Sequence, residues 1–239
     1  MNTNARETGR PPLEWHDENP VRGNTLLKST RQIGTGLAFI IFPIVFVFAF
    51  SVHPGLLHPR LLGPPELILR ARGDHLLQFA HALVLLDTAL LVVVALHFMR
   101  LLDYGSAAWA GFVGATLAIL GSLSLAADKG ALCLTMSALD GLSDAEFMGM
   151  MPGLLAMFSK QGWLVLLWGI VLLTVGFGIQ AIALLKTRSI ARWQSLLFLI
   201  GVLLIGTPDG IEVVNLTASL LMTIAFVPYG VQIIRRESG

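Results

Sequence analysis

Six runs of this chain, each about twenty residues long, carry almost no charge, and nothing else in the sequence constrains its fold as much. They cover residues 33–52, 76–99, 106–127, 161–185, 190–206 and 211–230. A helix rises about 1.5 Å per residue, so about twenty residues cross about 30 Å of hydrocarbon. Lipid offers no partner for backbone N–H and C=O groups, which leaves the α-helix as the way for such runs to cross. Only 13% of the residues are charged, against about 25% in an ordinary soluble domain. The bulk of the chain is therefore neither a soluble enzyme nor a disordered tail. The single cysteine, Cys133, excludes an internal disulfide framework. The expected fold is all-α, a polytopic transmembrane helix bundle of six spans.

The basic residues orient that bundle. Arg6, Arg10, Arg22, Lys28, Arg31, Arg100, Lys186, Arg188, Arg192, Arg235 and Arg236 fall on one side, eleven in all. Arg60, Arg70, Arg72, Lys129 and Lys160, five in all, fall on the other. Cytoplasmic loops collect Lys and Arg, which predicts both termini on the cytoplasmic side. Tyr104, Trp109, Trp163, Trp193 and Tyr229 fall at span ends, where amphipathic rings favour the headgroup layer. Ala49-Phe50-Ser51 faintly resembles a cleavage site, but the long polar stretch before it and the length of the first apolar run predict an uncleaved anchor. The connector Gly206-Thr207-Pro208-Asp209-Gly210 is a turn signal between the last two spans. A re-entrant hairpin is the alternative reading of that pair.

Two domains are expected: residues 1–30 as a polar cytoplasmic arm and residues 31–236 as the six-helix domain. The arm has a Pro-Pro pair, Trp15 and few aliphatic residues, too little apolar surface to fold alone. It reads either as a loose tail or as an element that docks on a partner. On the outer face, residues 53–74 form a Pro-rich connector, and residues 143–159 read as a surface helix interrupted or restarted at Pro152. Helix packing is expected where small residues recur. The third span has Gly111 and Gly114 within two series at spacing four, and the fourth has Gly162, Gly169 and Gly176 at spacing seven. The third and fourth spans should therefore lie at the centre of the bundle.

Asp87 is the most informative single residue. It lies about eleven residues, or roughly 16 Å, from either end of the second span. A carboxylate at that depth costs at least ~2.5–3.5 kcal/mol, so it must face the interior and be protonated or paired. No Lys or Arg within a span can pair with it, which leaves Gln180, Asn215, Thr88 and Thr116. A hydrogen bond to Gln180 or Asn215 is the structural expectation, and proton or cation handling is the functional one.

A second group gathers at the outer face. His53, His58, Asp74 and His75 lie at the mouth, His81 lies deeper, Asp128 ends the third span, and Asp209 and Glu212 open the sixth. Imidazole and carboxylate together suit zinc, copper or iron. His75, His81 and Asp128 form the candidate metal set, although no HExxH or other tight ligand spacing is present. Haem is disfavoured as a bis-His site. His81 and His97 lie on one helix sixteen residues apart, a rotation of about 160° and a rise of about 24 Å. No cofactor is favoured. Nucleotide and nucleic-acid binding lack any phosphate-cradling motif or basic excess, with fifteen acids against sixteen bases. Asn215-Leu216-Thr217 matches a glycosylation acceptor only formally, because it lies inside a span.

His53-Pro54 after the first span, Asp74-His75 opening the second and Leu125-Ala126-Ala127-Asp128 closing the third carry a resemblance. On these residues the chain resembles a group of uncharacterised bacterial six-span membrane proteins. That resemblance implies a topology and a multi-pass location in the bacterial cytoplasmic (inner) membrane, and supplies no catalytic residue. The leading functional expectation is an accessory or interaction subunit of a larger membrane assembly, with lipid and protein partners or a second copy of the chain around it. Proton-coupled transport of a small solute through Asp87, Gln180 and Asn215 is the alternative. A membrane metal or haem redox protein using the outer histidines is the third reading.

Overall fold

A computed structural model describes residues 20–54, 56, 63–158, 169–205 and 212–235, which contain eight helices and no strand. In chain order these are α1 (Pro20–Ser51), α2 (Pro64–Ala71), α3 (His75–Leu101), α4 (Ala107–Leu139), α5 (Asp144–Phe158), α6 (Gly169–Thr187), α7 (Arg192–Ile205) and α8 (Glu212–Arg235). The all-α expectation holds. Four helices are long and apolar enough to cross a membrane: α1, counted over Leu27–Ser51, together with α3, α4 and α8. The described parts of α6 and α7 are apolar but shorter. At 14 residues, α7 measures about 21 Å. The predicted start of the fourth span, with Gly162 and Trp163, and the turn 206–210 lie outside the described residues, as does His58.

Several boundaries differ from the sequence reading, each for a local reason. Residues 20–30, assigned to the polar arm, continue α1. Pro20 suits a helix start, because the N–H it lacks has no intrahelical acceptor there. Pro64-Pro65 likewise opens α2 rather than a loop, with Glu66 in its first turn paired to Arg70 at 3.6 Å. α4 does not stop at Ala127. It runs on to Leu139, with Leu132, Met136 and Leu139 buried at helical spacing. The helix expected at 143–159 is present as α5 and passes through Pro152 without a break. Proline removes only the bond to residue 148, and Met148 is exposed.

α4 packs between α3 and α6, but the pair α4 and α6 is not the centre expected of it: the helices neighbour one another in the order α4, α3, α1, α8, α7, α6 and back to α4. A Cβ added at Gly111 would lie 2.9 Å from Leu102 Cβ, beside the end of α3. One added at Gly114 would lie 2.9 Å from the Gly176 carbonyl oxygen of α6. Gly176 and Gly121 in turn face backbone atoms across the same contact. Gln180 fastens this region: its Nε2 donates to the carbonyls of Ala95 (3.0 Å) and Gly111 (3.3 Å). α1 and α8 run antiparallel and touch at Gly36 and Gly230, a contact no local spacing announced. The start of α1 and the end of α8 therefore lie at one end of the bundle. Phe39 fills that end, edge-on to Phe98, Phe226 and Tyr229 at 5.0–5.3 Å.

The opposite end is capped. α2 and α5 bury Ile68, Ala71, Phe147 and Leu154 with Leu77, Met136 and Leu139. Arg72 locks this cap, donating to Asp144 Oδ1 (2.8 Å) and the Leu142 carbonyl (2.6 Å), with its guanidinium 4.4 Å from the Phe147 ring centre. Asp140 accepts from Gly73 N (2.8 Å) and Gln78 Nε2 (2.7 Å). Ser143 and Glu146 form a capping box at the start of α5.

Candidate functional site

Beneath the cap lies a chamber of ≈ 170 Å³ to which all eight helices contribute. Helical periodicity explains which residues reach it. On α3, Gln78, His81 and Val84 recur every third position; on α4, Leu125, Asp128 and Leu132 share a face; on α8, Glu212 and Asn215 lie one turn apart. His53, just past α1, completes the wall.

The polar groups in this wall are arranged in opposed pairs. His53 Nδ1 lies 3.3 Å from Glu212 Oε1, joining α1 to α8. Lys129 Nζ lies 3.4 Å from Asp128 Oδ2. The His53 and His81 rings face each other with centres 6.5 Å apart. Cys133 lines the same wall and donates weakly to the Gln78 carbonyl at 3.4 Å. Glu212, Asn215 and Asp128 are all buried. Oδ1 of Asp128 and Oδ1 of Asn215 make no hydrogen bond. Buried acceptors of that kind are uncommon in folded proteins and call for an explanation.

Asp87 is 3% exposed and neither carboxyl oxygen has a hydrogen-bond partner. This corrects the expectation of a bond to Gln180 or Asn215. Gln180 donates instead to the backbone of α3 and α4, and Thr88 donates to the Leu85 carbonyl. Thr116 bonds to Phe112 on an exposed face. On α3, Asp87 stands between Val84, which lines the chamber, and Leu91, which lines a second cavity of ≈ 20 Å³. The two cavities share Phe46, Leu173 and Ile205 as walls. Asp87 thus occupies the level where they adjoin.

The candidate metal set does not converge. His81 and Asp128 line the chamber, but His75 is exposed outside it, 3.8 Å from Asp140. The two histidines are six positions apart, which turns them to different faces of α3. Among the described residues, no group of three His, Cys, Asp or Glu side chains can hold a metal ion. His97 is half-buried against Phe39, with Nε2 2.8 Å from the Tyr229 hydroxyl. Tyr229 is itself buried, whereas Tyr104, Trp109 and Trp193 are exposed. Gly169 opens α6, one helix repeat before Gly176.

Lys129, Cys133 and Gln78 are site residues the sequence reading did not assign. The signal for the first two was the apolar period Leu125, Leu132 and Met136, which carries the α4 face through Asp128-Lys129. At the cap, donation from the Ser143 hydroxyl and backbone N–H holds the exposed Glu146 carboxyl below its usual range. No family model, curated protein or solved structure matches the chain.

Proposed function

We propose that this chain is a six-span integral membrane protein of the bacterial cytoplasmic membrane, with both termini inside, and that it carries a small solute inward together with a proton. The chamber takes the solute from the outer face, and Asp87 binds the coupling proton. The observation that carries this reading is the coincidence of a chamber walled by His53, His81, Asp128, Lys129, Glu212 and Asn215 with a hydrogen-bond-free carboxyl one turn below it on α3. Ionisable groups placed deep in spans mark ion and substrate paths, because their desolvation is otherwise unrewarded. The accessory-subunit reading drew on the polar arm, of which residues 1–19 lie outside the described residues. The chamber weighs toward the carrier.

Six spans follow if α6 and α7 gain the undescribed residues that flank them, and four long apolar helices support the membrane location. Reporter fusions test the topology: activity of a cytoplasmic reporter at both termini is expected, and reporters on opposite faces would overturn it. Transport is tested in proteoliposomes loaded with a pH-sensitive dye and given a panel of small solutes. At least one solute is expected to drive proton entry through the native chain and none through Asp87→Asn, which preserves shape. Equal flux through the Asn variant would remove Asp87 from the mechanism.

A further inference from the structure

We infer that the chamber binds one small, neutral, ring-sized molecule that offers a hydrogen-bond donor, with phenol as the simplest example. The inference deepens the carrier reading by naming its solute class, and it is decided by binding rather than by transport.

Size sets the first limit. A protein cavity of about 150 Å³ accommodates benzene, so ≈ 170 Å³ admits one ring with a polar substituent and little more. Sites for drug-sized ligands start at about 300 Å³. Charge sets the second limit. Lys129 stands 3.4 Å from Asp128, and His53 stands 3.3 Å from Glu212. Lys129 already has an acid beside it and Glu212 already has a ring nitrogen beside it, so an ionic ligand would be desolvated against Phe46, Leu125 and Leu132 with only partnered groups to face. A neutral molecule avoids that cost.

The third limit is polarity of the hydrogen bond. Among the described chamber residues, Asp128 and Asn215, 5% and 6% exposed, each carry a buried oxygen with no hydrogen bond. Oxygen acceptors call for a donor. A ligand hydroxyl that reached either oxygen would satisfy a group whose burial is otherwise uncompensated. A ligand carrying only acceptors leaves both unsatisfied. Asn215 belongs to α8 and Asp128 to α4, so the apolar body of a ligand bonded to either lies between helices that are distant in sequence.

The test uses the full-length protein in detergent and saturation-transfer NMR of four probes: phenol, toluene, benzylammonium and benzoate. Phenol is expected to bind at least tenfold more tightly than toluene, and the two ions to show no site-specific transfer. Ala49→Leu and Ala71→Leu each add three carbons to the chamber wall and should each weaken phenol by tenfold or more. Of Asn215→Leu and Asp128→Leu, at least one should reduce phenol to the level of toluene, because the hydroxyl bonds to one of these two oxygens. Two independent wall substitutions keep the test decisive where one fails to fold, with helical circular dichroism as the check. Tighter binding of either ion would overturn the inference, as would equal binding of phenol and toluene, or phenol binding indifferent to both wall substitutions. Proton flux that depends on Asp87 without any preference for phenol would sink this inference and leave the carrier standing. Phenol binding without flux would support the inference and sink the carrier.

Discussion

Gly176 provides the sharpest quantitative test of how the bundle is held together. A Cβ at this position would lie 2.7 Å from the Gly114 carbonyl oxygen and 2.8 Å from Ala118 Cα, and would press on the Ala118 nitrogen as well. All three are backbone atoms that no rotamer change can move. Ordinary contact begins near 3.4 Å, so relieving the contact with the Ala118 nitrogen means Gly176→Ala must push α4 and α6 apart by roughly 1 Å or distort one of them, at a typical overpacking cost of about 1–3 kcal/mol. Gly178, two residues on, has nothing within 4 Å of the same added atom. Both substitutions gain the same helix propensity, about 1 kcal/mol for Gly→Ala. The difference between the two variants therefore isolates the steric term. Gly178→Ala should be as stable as the native chain or more so, and Gly176→Ala should fall below Gly178→Ala by about 1–3 kcal/mol. The midpoint of unfolding on titrating sodium dodecyl sulfate into detergent micelles, read by circular dichroism, measures both. Equal midpoints would show that the α4–α6 contact is looser than its glycines imply, and would refute the reasoning.

Two further outcomes concern the cap. Arg72→Ala removes hydrogen bonds to Asp144 and Leu142 and the contact with Phe147. Lost charge-assisted bonds of ~1.4 kcal/mol or more translate into about tenfold more frequent opening. Alkylation of Cys133, half-buried in the chamber wall, should accelerate by that factor, and an unchanged rate would show that the cap does not control access. Glu146 supplies a pH dependence. Its carboxyl titrates below the usual range because Ser143 donates to it, so its contribution is present above the unfolded value and is lost as pH falls through the lowered folded value. Hydrogen-exchange protection at the start of α5 should drop on that acidification, and the drop should shrink in Ser143→Ala, which loses the hydroxyl but keeps the backbone N–H donor. Protection that rises on acidification would reverse the assigned sign.

What could be read from the sequence divides along the range of the interactions involved. Apolar length and period are local, and they located α3 to within two residues and α5 to within one. Small-residue spacing is also local, and it anticipated that Gly111, Gly114 and Gly176 lie at helix contacts. Charge misled at two points. Asp128-Lys129 reads as the end of a span, yet the pair is compatible with a continuing helix because Asp128 is buried at the chamber beside its own counter-ion. Asp87 called for a bond to Gln180 or Asn215, yet neither of its oxygens has a hydrogen bond. The Gly36–Gly230 contact and the approach of His53 to Glu212 join residues more than 150 positions apart, and no short-range pattern encodes such pairings. The chamber was visible only as an inventory of histidines and acids at one end. Which of them meet, and that His75 does not, depended on the azimuth of each helix.

Asp87 shows how a residue's energetic cost bears on its role. A carboxyl retained for structure should have a partner that its removal would orphan, and the bonds of Gln180, Thr88 and Thr116 all go elsewhere. Its neighbours along α3 on the buried face, Val84 and Leu91, are apolar. Replacing it with leucine then removes an unsatisfied polar group and breaks no bond. Buried unsatisfied groups cost about 1–3 kcal/mol against water, but a chain unfolded in detergent already shelters part of that group, which limits the expected gain for Asp87→Leu to about 1 kcal/mol. The unfolding midpoint should rise while proton flux is lost, the trade-off expected where a destabilising group is kept for activity. A fall in the midpoint would mean that the carboxyl supports the fold after all, and the carrier reading would lose the feature that distinguishes Asp87 from ordinary core.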